Sequence, residues 1–317
     1  MNVLVTGGAG FIGSHLVRRL VRLRVGAVTV LDNFHRGSTA NLAGCLDEIR
    51  LLRADVRNPA ALDEALRGVD LVYHLAAHSS VMGAEADADY TFQTNVAGTF
   101  ELLRAARVNG VRRVIFASSR EVYGDPFQVP VPETAPLKPK NLYGASKVAG
   151  EAYCSVFGSE GLETAVLRLA NVYGPGDTDR VLPLFLSRAL QGQPLALYGG
   201  QQVLDFVWID TVVETLWKAG FGELIAEPLN IGSGKGITIT KLSRRVMELT
   251  GWRSRVEILP ARQVEVTGFV ADITRARQLL GLSQPADPLF GLAAMVDSSR
   301  RQVAMGHAGP ALVPVAG

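Results

Sequence analysis

The chain has 317 residues, 48% of them apolar, and its 32 Lys and Arg nearly balance 30 Asp and Glu for a net charge of +2. That length suits one large domain or two smaller ones around a sizeable core. The charge balance gives no electrostatic case for nucleic acid or an anionic membrane as partner, while a small anionic ligand stays open because local fields do not show in a net charge.

Taken in chain order, short apolar runs rich in β-branched residues predict strands over 2–6, 27–31, 49–53, 69–74, 113–118 and 164–169. Helical spacing predicts helices over 11–24, 59–66, 88–108 and 143–157. Strand–helix alternation with buried strands implies a parallel α/β sheet covered on both faces, doubly wound through right-handed crossovers. After Asn171 the alternation loosens into "VYGPGDTDR" and "RVLPLFLSRAL", which marks a smaller C-terminal lobe. Met1 leads straight into "NVLVTGG", with no basic stretch and long apolar run, and no segment has the ~20 apolar residues of a membrane span. Cys45 and Cys154 stand far apart in no metal-ligand spacing, so no metal is expected and both read as free thiols. A cytoplasmic location follows as the expectation.

"VLVTGGAGFIGSHL" places Gly7-x-x-Gly10-x-x-Gly13, equally readable as Gly8-x-Gly10-x-x-Gly13, after a strand and at the start of a helix. Such glycines let the backbone approach a pyrophosphate, and the helix N-terminus offers it free N–H groups. Asp32 ends the next strand roughly 20 residues on, where a carboxylate accepts from the ribose hydroxyls and repels a 2′-phosphate. The expected cofactor is therefore NAD, with Arg36 the one nearby feature pulling towards NADP. The sheet is then of the Rossmann type. The expected division is an NAD-binding domain over 1–174 with 204–234 returning to it, a substrate-binding lobe over 175–203 and 235–300, and a disordered tail over 301–317.

"NLYGASKVAGEAY" puts Tyr143 and Lys147 at i and i+4 on one helix face. A lysine ammonium beside a phenol is expected to lower its pKa, making it a base for an alcohol proton while hydride leaves to NAD. Ser119, at the carboxyl end of a central strand, belongs where ligands of such sheets sit.

At this point the sequence resembles the extended short-chain dehydrogenases/reductases that modify nucleotide sugars. "TGGAGFIGSHL", "HLAA" at 74–77, "NVAGT" at 95–99, "SS..VYG" at 118–124, "YGASK" at 143–147, "RLANVYGPG" at 168–176 and "DFVWIDT" at 205–211 match in order. The resemblance implies a Ser119, Tyr143 and Lys147 catalytic set. It puts Asp55 and Val56 at the adenine, and Leu75, Ala76 and Ala77 along the cofactor. Phe11, Ile12, Asn33 and Asn95 join the cofactor contacts through their motifs. Asn171 and Arg262 would hold the substrate diphosphate; apart from the resemblance, Ser79 and Ser80, just past the strand that ends in "HLAA", are expected to hydrogen-bond the sugar. A homodimer through helices 88–108 and 143–157 is also implied. Two stretches depart from the pattern: "YGGQQVLDF" is one residue short, with Leu204 where an arginine usually stands, and "ARQVE" replaces Arg-Pro-Gly-Asp.

In this family the reaction opens with oxidation at C4 of the sugar, and its second half sets the product. Glu121 stands where dehydratases and decarboxylases carry the C5 base; Arg120 stands where dehydratases carry an acid, and arginine is a poor one. The preferred expectation is a 4-epimerase of the UDP-glucose or UDP-glucuronate type. A 4,6-dehydratase or UDP-glucuronate decarboxylase using Glu121 is the alternative. A silent NAD-binding sensor is the third reading, opposed by the complete Ser/Tyr/Lys set. For Arg120 two roles stand open: a clamp on a C6 carboxylate, or an ion pair with Glu121.

Overall fold

The computed structural model describes residues 1–178, 180–253 and 255–304. Its strands are β1 (Val3–Thr6), β2 (Val28–Asp32), β3 (Arg50–Arg53), β4 (Leu71–His74), β5 (Arg113–Ser119), β6 (Glu163–Leu169), β7 (Asn171–Tyr173), β8 (Leu195–Tyr198), β9 (Val203–Trp208), β10 (Leu229–Ile231), β11 (Gly236–Thr238) and β12 (Val256–Leu259). Its helices are α1 (Phe11–Arg22), α2 (Pro59–Leu66), α3 (Val81–Ala86), α4 (Ala88–Thr91), α5 (Gly98–Val108), α6 (Leu142–Ser159), α7 (Val181–Leu190), α8 (Ile209–Phe221), α9 (Ile239–Thr250), α10 (Thr274–Leu280) and α11 (Leu292–Ala304). Among the described residues no helix is long and apolar enough to cross a membrane.

Seven parallel strands form the main sheet in the order β10-β6-β5-β4-β1-β2-β3. The central strands are buried on both faces, which is why they read as unbroken apolar runs. On one face α1 turns Leu16, Val17 and Leu20 inward and packs beside α8. On the other, Leu62 and Leu66 of α2, Leu102 and Leu103 of α5, and Phe157 of α6 close a second core. Asn58 caps α2 by accepting from the N–H groups of Ala60 and Ala61, and Pro59 sits at its first turn, where its missing N–H costs nothing. The chain runs β1, β2, β3 to one edge, then returns to lay β4 on the other side of β1. That reversal opens a crevice at the carboxyl ends of β1 and β4.

The remaining strands stand apart. β9 lies between β7 and β11 in a three-stranded sheet, and β8 pairs with β12. They pack with α7, α9 and α11 around Leu182, Phe185, Leu186, Leu242 and Met295. Thus Asn171–Tyr173 leaves the main sheet as soon as β6 ends, while α8 and β10 return to it.

Two sequence expectations differ from the structure. The helix expected over 88–108 is built as α4 and α5 joined by a π-helical stretch, Phe92–Ala97, a local widening that re-aims side chains. The tail expected to be disordered from 301 begins as helix: α11 runs to Ala304, and 305–317 lie outside the described residues. Met295 and Val296 are buried, and this apolar anchorage carries the helix onward.

Candidate active site

The crevice between β1 and β4 is shaped by glycines. Gly7 has φ +70, and a Cβ there would meet the Ala76 backbone nitrogen at 2.7 Å, so the two strand ends approach as only glycine permits. Gly10 is the N-cap of α1; it supplies no side-chain cap, and the first turn carries no acid. The leading N–H groups of α1 are therefore open to an anion. Phe11 and Ile12 begin that helix, and Gly13 packs against the Gly7 carbonyl.

Asp32 closes the far side. It is buried, its Oδ2 accepts from the Ala9 N–H at 2.9 Å and its Oδ1 from the Phe34 N–H at 2.8 Å, and burial pushes its pKa up. Each oxygen keeps a lone pair for a ribose hydroxyl. Asn33 donates to Asp55 at 2.8 Å and to the Tyr90 hydroxyl at 3.0 Å. Burial raises the Asp55 carboxyl, but the Arg57 fork and Asn33 outweigh it and hold it at about 2. Val56 is buried against Gly98, and Leu75, Ala76 and Ala77 line the end of β4, half-buried. An uncapped helix N-terminus, a glycine cradle and a strand-end carboxylate together fit an adenine dinucleotide.

Ser119 ends β5, and its Oγ accepts from the Glu121 N–H at 3.2 Å. Tyr143 lies in the first turn of α6, only partly exposed. Lys147, one turn on, is buried, and its Nζ donates to the Ala117 carbonyl at 2.8 Å. Burial pushes Lys147 down to about 8. The Tyr143 phenol is pushed up, by burial first and by Glu121, against the pull of Arg180, the Ser119 hydroxyl and Arg36. Against the expected lowering of the phenol by Lys147, the ammonium is bonded to the Ala117 carbonyl and lies 5.8 Å from the phenol ring centroid, while Arg180 and Arg36 also draw the phenol down.

Next to Ser119, the turn Arg120–Tyr123 carries the two residues that divide the possible reactions. Arg120 Nη2 pairs with Glu121 Oε1 at 2.8 Å, and the other oxygen of Glu121 accepts from Asn141 Nδ2 at 2.8 Å. Asn141 is also the N-cap of α6, accepting from the Gly144 N–H at 2.8 Å. The turn is anchored from behind: Ser118 donates to Glu151, Arg168 pairs with Glu151 at 2.7 Å, and Arg168 reaches the Tyr123 hydroxyl at 2.8 Å. Removing one partner from a buried pair of this kind costs about 3–5 kcal/mol.

The other expected residues are engaged within the protein. Asn95, in the π-helical stretch, accepts from the His78 N–H at 2.7 Å and donates to Ser146 at 2.9 Å, tying the loop after β4 to α6. Ser80 caps α3 by accepting from the Gly83 N–H at 3.1 Å. Asn171 donates to the Asp205 carbonyl at 3.0 Å. Arg262 lies 3.7 Å from the Tyr198 ring centroid and pairs with Glu265 at 3.0 Å. Two residues escaped the sequence reading. Asn141 carried a signal, an N-cap residue directly before "LYGASK". Arg180 carried none: it directly precedes α7, pairs with Asp177, and lies 5.7 Å from the Phe11 ring centroid, beside the open end of α1.

Comparison with known proteins agrees with this geometry. Residues 3–232 match the model of the NAD dependent epimerase/dehydratase family. The chain is 34% identical to UDP-glucuronic acid decarboxylase 2 of Arabidopsis thaliana over 96% of its own length and 69% of that protein. It is 33% identical to a UDP-glucose 4-epimerase of Mycolicibacterium smegmatis, covering 95% of this chain and 99% of that one. A Thermus thermophilus UDP-glucose 4-epimerase solved in complex with NAD superposes with a TM-score of 0.88 at 34% identity, over 95% of this chain and 99% of the other. With a Rossmann-type sheet, a dinucleotide crevice and relatives of this kind, the chain belongs to the NAD-dependent epimerase/dehydratase family.

Proposed function

We propose that this enzyme is a nucleotide-sugar 4-epimerase. NAD, when bound, supplies the hydride acceptor and donor. Tyr143 takes the proton of the C4 hydroxyl, Ser119 hydrogen-bonds that oxygen, and Lys147, bonded to the Ala117 carbonyl, fixes the helix turn that carries the phenol. Asn171, Arg262 and Ser80 are read as nucleotide-sugar contacts. Gly7, Gly10, Gly13, Asp32, Asp55 and the end of β4 are read as the dinucleotide site.

The observation that carries the reading is the state of the turn after Ser119. Arginine occupies the place of a proton donor, and both oxygens of Glu121 are held, by Arg120 and Asn141. Epimerisation asks nothing of either residue, because the 4-keto sugar needs only to turn over and accept hydride on its other face. A second reading, decarboxylation of a glucuronate, is favoured by Glu121 standing two residues after Ser119, where its charge raises the Tyr143 phenol. Incubation with a nucleotide-sugar panel in deuterated water, read by mass and NMR, separates the two. Inversion at C4 without deuterium at C5 supports the epimerase; loss of carbon dioxide, or deuterium at C5, overturns it.

Two further parts belong to the reading. A homodimer is supported by Phe100 on α5 and Val156 on α6, exposed apolar side chains on neighbouring helices, with Phe100 packed against Tyr153. Phe100→Glu with Val156→Glu should give a monomer by light scattering, and an unchanged mass would sink it. A cytoplasmic location is supported by two buried free cysteines, and fractionation of the producing cell tests it.

A further inference from the structure

Arg120 carries an unusual deficit. Its side chain is only 12% exposed, and Nη2 is committed to Glu121. The other terminal nitrogen, Nη1, is buried and has no hydrogen-bond partner. A guanidinium keeps all five N–H donors at any working pH, so it cannot relieve this by losing a proton. Buried donors are satisfied in the great majority of cases, and an exception beside a reaction site points to a missing ligand atom. Glu121 does not serve this second arm: its Oε1 accepts from Nη2 and its Oε2 from Asn141, and Nη1 meets neither.

We infer that Arg120 is a specificity-determining residue that receives a carboxylate at C6 of the sugar, so that the substrate class is a nucleotide-linked uronic acid. This rests on the nucleotide-sugar reading above. Arg120 leaves the same turn as Ser119, which faces the C4 oxygen in that reading, and C6 is two bonds from C4 through C5. The substrate phosphates belong elsewhere, to Asn171 on β7 and Arg262 after β12, so the anion nearest Arg120 is not a phosphate. A hydroxymethyl group at C6 offers one neutral oxygen, whereas a carboxylate offers the charge-assisted contact that a guanidinium arm matches. The sign of the local field agrees: without Arg120, a C6 carboxylate would meet Glu121 alone, and like charges in a buried site repel.

Binding decides the point in a Tyr143→Phe background, where neither ligand is turned over. The NAD-loaded protein is titrated with glucuronate and glucose, each linked to UDP and to dTDP. The parent should bind the glucuronate about 10-fold or more tighter than the glucose, the size of a charge-assisted contact. Arg120→Ala should reverse that order. Arg120→Ala with Glu121→Gln, which also removes the stranded carboxylate and guards against misfolding, should bring the two sugars to near-equal affinity. A parent that prefers glucose, or an Arg120→Ala variant that weakens both sugars equally, overturns the inference. A parent that binds no nucleotide sugar overturns the underlying reading and this inference with it. A parent that binds glucuronate preferentially, while the protein with Tyr143 intact shows no inversion at C4 of that sugar, overturns the epimerase reading alone.

Discussion

The Lys147 ammonium donates to the Ala117 carbonyl at 2.8 Å, one helix turn from the Tyr143 phenol, and it does so fully buried. A buried cation with a single carbonyl partner is held there at a cost, and its pKa falls to about 8 as a result. Between pH 8 and its ordinary value of 10.5, the unfolded chain binds this proton and the folded chain does not, so stability rises with pH across that window. Above about pH 9 the raised thiol of Cys154, and above about pH 10 the raised phenol of Tyr143, act in the opposite sense, and both are shared with the variant. From pH 7.5 to 10, wild type should therefore gain about 2 kcal/mol relative to Lys147→Met. Urea unfolding of both proteins across the range checks this; parallel pH profiles would show that the lysine is not the cause.

His74 works in the acid range. Its Nδ1 meets Thr6 Oγ1 at 2.8 Å and its Nε2 meets Thr99 Oγ1 at 2.9 Å, at the end of β4 beside the dinucleotide crevice. Burial first, and Lys147 second, push it down to about 3. The folded state holds it neutral while the unfolded state protonates it below about 6.5, so stability falls as pH drops from 6.5 towards 3. His74→Gln should be less stable at pH 7 but show a shallower acid slope. Thermal midpoints between pH 4 and 7 give the comparison, and an unchanged slope assigns the acid sensitivity to other groups.

Asn141 joins three parts that meet at the site: it caps α6, donates to Glu121, and donates to the Val264 carbonyl, in the segment after β12, at 3.1 Å. Asn141→Ala should cost about 1–2 kcal/mol through the lost cap. Asn141→Ser keeps a capping oxygen but cannot reach Glu121, so it should recover stability; with Glu121 released, Arg120 loses its fixed place beside the sugar, and turnover of a uronate should not recover fully. Equal recovery of both would reduce Asn141 to a cap.

These residues mark what was legible in the sequence. The crevice was: β1, the glycine loop and α1 are consecutive, their signals are local, and Asp32 follows from one strand–helix unit. The strand pairing beyond β6 was not. β7 pairs with 206–208 and β8 with 256–259, and no periodicity records which short strand meets which. The i, i+4 spacing put Tyr143 and Lys147 on one face but could not say that the ammonium turns to the Ala117 carbonyl. "SSREVYG" offered a carboxylate clamp or an ion pair for Arg120, and the structure shows the ion pair with one arm left over.

Arg180 provides the last prediction, since it approaches the cofactor crevice from outside the main sheet. It stands just before α7, a third exposed, 5.7 Å from the ring of Phe11, the first residue of α1. From there it also pulls the Tyr143 phenol down, so its charge reaches both the free N–H groups of α1 and the reaction site. A pyrophosphate on those N–H groups would lie within that field, and a charge-assisted contact of this kind contributes about 1.5–3 kcal/mol. Arg180→Ala should therefore weaken NAD binding by roughly 10-fold or more, and Arg180→Lys by less, because the charge remains and the fork is lost. Titrating the protein with NAD and with adenosine, followed by tryptophan fluorescence, isolates the phosphate contribution. The NAD affinity should fall while the adenosine affinity holds, and the Tyr143 phenol should titrate higher by ultraviolet difference spectroscopy. If NAD binds Arg180→Ala as tightly as wild type, the arginine serves contacts within the protein, its pairing with Asp177 among them.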